Sequence, residues 1–227
     1  WVEISRSGIV TIASPNAEMG QGTMTAMPLI VAEELDADWS KVVVKQVGPT
    51  SKEYGNPFFG GIVHTVGSLT TGALFDKVRL AGAQARLFLL ERAAAHWKVP
   101  ASDLVTDNGY VKHKSSNKTV SYGDLVAISR KSDKIPTVKK SDLKKSSQYK
   151  LIGKDTDRVD IPSKVDGTAE FGLDVVVPGM VHASIIRAPM HGATVKSWQD
   201  DNKGEISKAI KLIKLPYGLA IIGKELE

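Results

Sequence analysis

Two short segments of the sequence combine residue types that suit binding of a ligand rich in polar atoms. Residues 18–22 read EMGQG and residues 65–71 read TVGSLTT, and each leads into a run of helix-forming residues. Glycine lets a ligand approach the backbone, and helix starts carry unpaired N–H groups that attract anions. The glutamine amide and the hydroxyl groups add neutral hydrogen-bonding partners. We therefore expect both segments to offer free backbone N–H groups to a ligand, with simple helix-start turns as the alternative.

Other catalytic signatures do not occur in the sequence. The histidines do not have the spacing of zinc ligands, and no Walker, GxSxG or GxGxxG pattern is present. Because the 227 residues include no cysteine, they form no disulfide, cysteine nucleophile or protein-ligated iron–sulfur cluster of their own. The sequence therefore predicts neither a catalytic residue nor a protein-ligated metal in this chain.

The charged residues are unevenly distributed along the chain, which has a net charge of +5. Residues 131–150, the lysine-rich segment, contain seven lysines and two aspartates but no arginine and no apolar period. This composition favours a solvated linker, and an arm that binds nucleic acid or an acidic partner is the alternative. Acidic residues at positions 33, 34, 36 and 38 follow a helix pattern, and there we predict a solvated face rather than a metal site.

The elements that must position the two segments follow from the hydrophobic pattern. Residues 1–14 alternate between apolar and polar residues and predict a β-hairpin. The apolar spacing predicts a helix that begins near residues 22–23, and residues 41–49 read as a strand. Residues 73–97 carry the strongest helix pattern. Its apolar face is predicted to consist of Leu74, Val78, Ala81, Ala85, Phe88 and Leu89.

The composition changes after the lysine-rich segment. Residues 158–189 are strand-rich with glycine and proline turns, and residues 206–223 predict a short helix followed by strands. The fold class is therefore predicted to be α+β, with a first domain over residues 1–130. The lysine-rich segment would link it to a smaller and incomplete domain over residues 151–227.

At these residues the sequence resembles the N-terminal portion of the large subunit of molybdenum hydroxylases, the xanthine dehydrogenase and aldehyde oxidase family. The EMGQG segment resembles the pterin-binding motif of that family, and the TVGSLTT segment is similar to its second cofactor segment. Residues 158–189 resemble the small hammerhead domain, which precedes the cofactor segments in xanthine dehydrogenases but follows them here. This order is similar to that of isoquinoline 1-oxidoreductase β subunits and related bacterial aldehyde dehydrogenase large subunits. The resemblance covers almost the whole chain.

The resemblance implies that residues 1–130 form part of a molybdopterin-binding domain and that residues 151–227 form a hammerhead-like domain. The pterin dithiolene, not the protein, would hold the molybdenum, and the cofactor is expected in its cytosine dinucleotide form. The family usually has Thr-Gly-Gly-Ser where this chain has Val66, a side chain that either crowds the cofactor or points into the core. The residues expected to meet the cofactor are Met19, Gly20, Gln21, Gly22, Gly67, Ser68 and Thr70.

The resemblance also implies a reaction and partners. The whole enzyme would hydroxylate an aldehyde or N-heterocycle with oxygen from water and pass electrons to a [2Fe–2S] subunit, with a cytochrome c as a further acceptor. The catalytic glutamate of the family has no match here, so the chain is expected to need the remainder of the large subunit and to be inactive alone. A periplasmic location is implied, with the cytoplasm as the alternative. The competing hypothesis is a non-catalytic basic binding module that uses the lysine-rich segment.

Overall fold

The protein folds as two compact units. The computed structural model describes residues 1–48, 52–130, 132–199 and 209–224, and the chain divides between Thr168 and Ala169. This division differs from the predicted domain boundaries, because the lysine-rich segment and the residues that follow it pack into the first unit. Helices and mostly antiparallel strands occur together, so the α+β class is confirmed.

A three-stranded sheet precedes and follows the EMGQG segment in the chain. Strand β1 (Val2–Ile4) pairs antiparallel with β2 (Val10–Ser14), which confirms the predicted hairpin. Strand β2 also pairs in parallel with β3 (Val42–Gln46), and helix α1 (Thr23–Leu35) connects these two strands. The start of α1 agrees with the prediction. The EMGQG segment therefore lies between the end of β2 and the start of α1.

Helix α2 (Thr70–Trp97) is the longest element and packs against α1. Leu74, Val78 and Leu89 of its predicted apolar face are buried, and the other predicted positions are half-buried. At Gly82 the two helices come so close that a Cβ atom would lie 2.4 Å from the carbonyl oxygen of Val31. Within the described part of the chain, no helix is both long and apolar enough to cross a membrane.

An antiparallel sheet and a short helix complete the core of the first unit. They are β4 (Leu104–Asp107), β5 (Tyr110–His113), β6 (Thr119–Ser121) and α3 (Tyr122–Ile128). The Tyr122 side chain is buried, and its hydroxyl donates a hydrogen bond of 2.7 Å to the carbonyl oxygen of Leu35. This bond joins α3 to the end of α1.

The second unit contains an antiparallel sheet. Its strands lie in the order β7 (His182–Arg187), β9 (Gly218–Gly223) and β8 (Lys211–Leu215). The strands predicted within 206–223 are confirmed, whereas the short helix predicted before them falls partly outside the described residues. The strand-rich prediction for 158–189 is wrong before β7, where α4 (Ile161–Val165) is the one helix or strand among residues 158–181. Glycine and proline turns interrupt that stretch, and its valine run stays exposed without a strand to pair with.

A group of acidic side chains at the end of α1 is buried. Glu33, Glu34 and Asp36 are at most 8% exposed, so the predicted solvated face is wrong at these three positions. The Glu34 carboxylate lies 2.6 Å from Arg79 and 3.4 Å from Arg86, both on α2. These ion pairs stabilise the buried charge of Glu34 and fix α1 against α2.

The lysine-rich segment supplies the partners of the other two carboxylates. The Lys144 ammonium is buried and lies 2.8 Å from Glu33 and 2.6 Å from Asp36. One Glu33 oxygen also accepts hydrogen bonds from the backbone amides of residues 150, 151 and 152. Burial alone would raise the pKa of Glu33, but the bonds from Lys144 and these amides outweigh it and lower the pKa. The prediction of a solvated linker is therefore wrong around Lys144, although residues 145–148 are exposed.

Replacing Gly82 with alanine should destabilise the protein by about 1–3 kcal/mol, because the new methyl group would collide with the backbone of α1. The matched control is Gly72→Ala in the same helix, where an added Cβ atom meets nothing within 4 Å. The control should be neutral or stabilising by about 0.5–1 kcal/mol, since alanine favours helix over glycine. Urea denaturation of both variants measures the difference, and equal stabilities would contradict the close helix contact.

Replacing Lys144 with methionine should cost about 3–5 kcal/mol of unfolding free energy, because Glu33 and Asp36 would keep buried charges without their main partner. Lys145→Met is the control, since its side chain is exposed and should change stability by no more than about 0.5 kcal/mol. The same denaturation experiment compares the two variants. A small and equal effect of both would mean that the buried pairing does not form.

Candidate functional site

The EMGQG and TVGSLTT segments line one cavity at the starts of α1 and α2. The cavity has a volume of about 410 Å³. Its walls are formed by Met19, Gln21, Thr23, Thr65, Val66, Gly67, Ser68, Thr70 and Thr71. The structure thus brings together five of the predicted site residues, whereas Gly20 and Gly22 lie in the same loop without forming its walls.

Left-handed backbone conformations shape both segments. Gly20 and Gly22 have φ angles of 103° and 83°, which favour glycine over residues with a side chain. Gly67 and Ser68 are both left-handed as well, with φ angles of 65° and 57° immediately before α2. The glycines therefore turn the chain, while the residues beside them line the cavity.

Asn16 joins the two segments and was not predicted from the sequence. Its side-chain amide donates to the carbonyl oxygen of His64 at 3.1 Å and to the hydroxyl of Thr65 at 3.3 Å. The Thr65 hydroxyl also accepts a bond of 3.0 Å from the amide of Ala17. Asn16 is 1% exposed, and its Oδ1 atom has no hydrogen-bond partner within the described residues. A proline–asparagine pair after a strand is the one local signal, and it indicates a turn rather than this contact.

Glu18 occupies the backbone amides at the start of α1. Its carboxylate accepts hydrogen bonds from Gly20 and Gly22 at 2.8 and 3.0 Å, and from Met24 at 3.0 Å. The expectation of free amides at this helix start is therefore wrong, because a carboxylate of the chain itself is attracted to the positive end of α1. Burial alone would raise the pKa of Glu18, but these backbone bonds outweigh it and lower the pKa.

The start of α2 differs from the start of α1. Its N-cap residue is Leu69, which makes no side-chain hydrogen bond to the first turn. The next residues, Thr70 and Thr71, are part of the cavity wall. The cavity therefore meets a positive helix end at α2 that is not neutralised by a capping side chain.

The amide group of Gln21 is largely engaged within its own loop. Its oxygen accepts a bond of 2.6 Å from the amide of Met19. Its nitrogen donates to the carbonyl oxygen of Ala17 at 2.7 Å and to the hydroxyl of Thr23 at 2.8 Å. Since both N–H hydrogens are used, the second lone pair of the oxygen is what remains for a ligand.

Val66 contributes an apolar part of the cavity wall. The residue is 47% exposed, so the alternative in which it points into the core is wrong. Together with the exposed Met19, it gives the cavity two apolar borders beside the hydroxyl groups of Ser68 and Thr70. Such a mixture fits a ligand that combines a flat ring system with polar edges and an anionic group.

The cavity walls bind rather than catalyse. The described residues that line them include no histidine, carboxylate, lysine or arginine side chain. His64 lies just before the TVGSLTT segment, but its ring packs against Phe59 with 5.1 Å between ring centroids. Among the residues that the structure describes, no group of three or more histidine, aspartate or glutamate side chains could hold a metal ion.

Known proteins share these residues and their order. The family model described as "Molybdopterin cofactor-binding domain" matches residues 1–177. The chain is 39% identical to the beta subunit of isoquinoline 1-oxidoreductase from Brevundimonas diminuta, across 100% of this chain and 33% of that protein. It is 31% identical to the membrane-bound aldehyde dehydrogenase (pyrroloquinoline-quinone) of Gluconacetobacter polyoxogenes, across 94% of this chain and 27% of that protein. It is also 31% identical to the nicotinate dehydrogenase B chain of Pseudomonas putida, across 85% and 15%.

The chain thus spans about a third or less of the length of these curated relatives. Two solved structures match part of it. Reconstituted CO dehydrogenase from Oligotropha carboxidovorans has a TM-score of 0.44 at 20% identity, over 55% of this chain and 15% of that one. Quinoline 2-oxidoreductase from Pseudomonas putida 86 has a TM-score of 0.40 at 19% identity, over 59% and 17%.

Replacing Glu18 with alanine should cost about 1–2 kcal/mol of stability at neutral pH, since it removes the acceptor for amides at the start of α1. The pKa of Glu18 is lowered from its ordinary value of 4.5, so its stabilisation is complete above that pH and is lost as the pH falls through the lowered value. The difference from wild type should therefore shrink in acid.

Urea denaturation of wild type and variant at neutral and acidic pH measures this change. Glu91→Ala is the control, because Glu91 is an exposed residue of α2 and its replacement should have little effect at either pH. A Glu18→Ala effect that stays constant into acid would contradict the ionised cap.

Proposed function

Because the chain belongs to the molybdopterin cofactor-binding domain family, we propose that the cavity between the EMGQG and TVGSLTT segments holds part of a molybdopterin. The proposal rests on one observation above all, the convergence of these two segments on a single cavity although more than forty residues separate them in the chain. The uncapped start of α2 suits the anionic phosphate of such a cofactor. The neutral walls suit its pterin ring system.

Each wall of the cavity would contribute a different kind of contact. The hydroxyl groups of Ser68 and Thr70 can donate to or accept from the cofactor, and the free lone pair of Gln21 can accept one hydrogen bond. Val66 and Met19 would border its apolar surface and keep water away from it. The buried Asn16 holds the two walls at a fixed separation, and its unpartnered Oδ1 is a further acceptor close to the cavity wall residue Thr65.

We propose that the chain forms part of the molybdopterin-binding subunit of an oxidoreductase that hydroxylates an aldehyde or an N-heterocycle. The names of the relatives support this choice of substrate, because they include isoquinoline, nicotinate and aldehyde enzymes. When bound, the cofactor supplies the transfer of oxygen from water to the substrate and the uptake of two electrons. No titratable side chain lines the described cavity, so proton transfer would depend on residues other than these walls.

The remaining parts of the enzyme are proposals of the same kind. They comprise the rest of the large subunit, a [2Fe–2S] subunit that takes up electrons, a cytochrome c acceptor, the cytosine dinucleotide form of the cofactor and a periplasmic location. The second unit would correspond to a hammerhead-like domain that follows the cofactor segments in the chain. Its antiparallel sheet and its place after the cavity residues support this assignment.

The competing hypothesis of a basic binding module has less support. Lys144 is buried between two carboxylates, and Lys150 pairs with Asp107 at 2.7 Å. These lysines already have partners in the first unit and explain part of the positive charge of the segment. Salt-dependent binding of nucleic acid that is lost after lysine-to-glutamine replacement would revive the hypothesis.

The first experiment is to measure molybdenum and pterin in the protein purified from its native source, together with the intact mass of every co-purifying chain. Molybdenum and pterin in a preparation with longer or additional chains would support the proposed oxidoreductase. A preparation of the 24.4 kDa chain alone, without metal or pterin, would overturn the proposal.

Replacing Gln21 with alanine should lower the molybdenum content of the enzyme. The side chain holds the EMGQG segment through three hydrogen bonds, and a loss of about 1.4 kcal/mol of binding energy would weaken cofactor affinity tenfold. Gln148→Ala is the control, since this exposed glutamine lies in the lysine-rich segment. Metal and pterin analysis of both variants is the measurement, and normal contents in Gln21→Ala would contradict the assigned site.

A further inference from the structure

Arg158 contacts the EMGQG segment from a distant part of the sequence. Its Nη1 atom donates a bond of 3.0 Å to the carbonyl oxygen of Gly20, 138 residues away. Its Nη2 atom lies 3.3 Å from Oε1 of Glu18. The amide of the next residue, Val159, donates to the hydroxyl of Thr25 in the first turns of α1 at 3.0 Å. These three bonds fasten residues 158–159 to the loop and to the helix that follows it.

The guanidinium group of Arg158 is itself held in place. Asp160 accepts from its Nε atom at 3.0 Å and from its Nη2 atom at 2.7 Å, which is the two-bond geometry that orients arginine most strongly. Asp160 is 6% exposed and also pairs with Lys164 of α4. The bond from Arg158 is the main reason why the pKa of Asp160 lies well below its usual range, so the pair stays charged.

The loop that Arg158 contacts has little conformational restraint of its own. Gly20 and Gly22 are left-handed, and glycine has many alternative conformations in an unrestrained chain. Glu18 and Gln21 supply hydrogen bonds from within the loop, and Arg158 supplies the ones that come from another part of the first unit. Met19, a residue of the cavity wall, lies between the two residues that Arg158 binds.

We propose that Arg158, oriented by Asp160, is a positioning residue that fixes the conformation of the EMGQG segment and thereby slows release of the ligand bound in the cavity. The consequence for ligand release rests on the proposed cofactor function, whereas the effect on loop conformation does not. Arg158 is absent from the cavity walls, so it acts through Glu18 and Gly20 and not by touching the ligand.

Hydrogen exchange in the whole enzyme that contains this chain tests the effect on the loop. The variants are Arg158→Ala and the conservative Arg158→Lys, with Arg6→Ala in the exposed β1–β2 turn as the matched control. The amides of Gly20, Gly22 and Met24 should exchange about tenfold faster in Arg158→Ala, since about 1.4 kcal/mol corresponds to a factor of ten. Arg158→Lys should lie between that variant and wild type, because lysine keeps the charge but not the forked geometry. Arg6→Ala and the amides in the middle of α2 should be unchanged.

Release of pterin from the same preparations gives the second readout. Arg158→Ala should release it about tenfold faster than wild type, with Arg158→Lys between them. Wild-type exchange rates at residues 18–24 in Arg158→Ala would overturn the inference. Equal acceleration throughout the first unit, with no recovery in Arg158→Lys, would also overturn it, because Arg158 would then serve general stability alone. A wild-type enzyme without pterin would refute the proposed function, and the exchange result would still decide the role of Arg158.

Discussion

The burial of three carboxylates at the end of α1 determines how the first unit is assembled. A buried carboxylate without a partner costs several kcal/mol, so each of these groups requires cationic or amide partners from elsewhere in the chain. Helix α2 supplies the arginines for Glu34, and the lysine-rich segment supplies Lys144 and backbone amides for Glu33. The charges therefore specify which surfaces of α1 and α2 meet. Because both helices begin at the same cavity, this pairing also sets the separation of the cavity walls.

Close packing and charge pairing depend on the same few residues. A side chain at Gly82 would lie 2.8 Å from the Cβ atom of Glu34, so the missing side chain is what allows this acidic residue to sit against α2. The arginines that bind Glu34 lie about one helical turn on either side of Gly82. The small residue and the two cations thus form one contact. Neither would be useful without the other, since a wider helix separation would leave the carboxylate without its partners.

Local patterns predicted the elements that depend on neighbouring residues. The hairpin of β1 and β2, the start of α1 and most of α2 follow from apolar periodicity and turn residues, which act over a few positions. The buried roles of Glu33 and Lys144 could not be predicted in this way, because their partners are 111 residues apart. The same holds for Glu18 and Arg158, which are 140 residues apart. The valine run at 175–177 shows the opposite error, since it has strand propensity but no adjacent strand to pair with.

The carboxylate of Glu18 also makes the cavity selective against small solute anions. A group tethered to the same loop is present at a far higher effective concentration than any dissolved phosphate or sulfate, so these ions cannot compete for the start of α1. One helix end is thereby removed from competition, and the end of α2 is the one left to attract negative charge. A ligand with a single anionic group would consequently enter in one orientation, with that group at the TVGSLTT segment and its neutral part at the EMGQG segment.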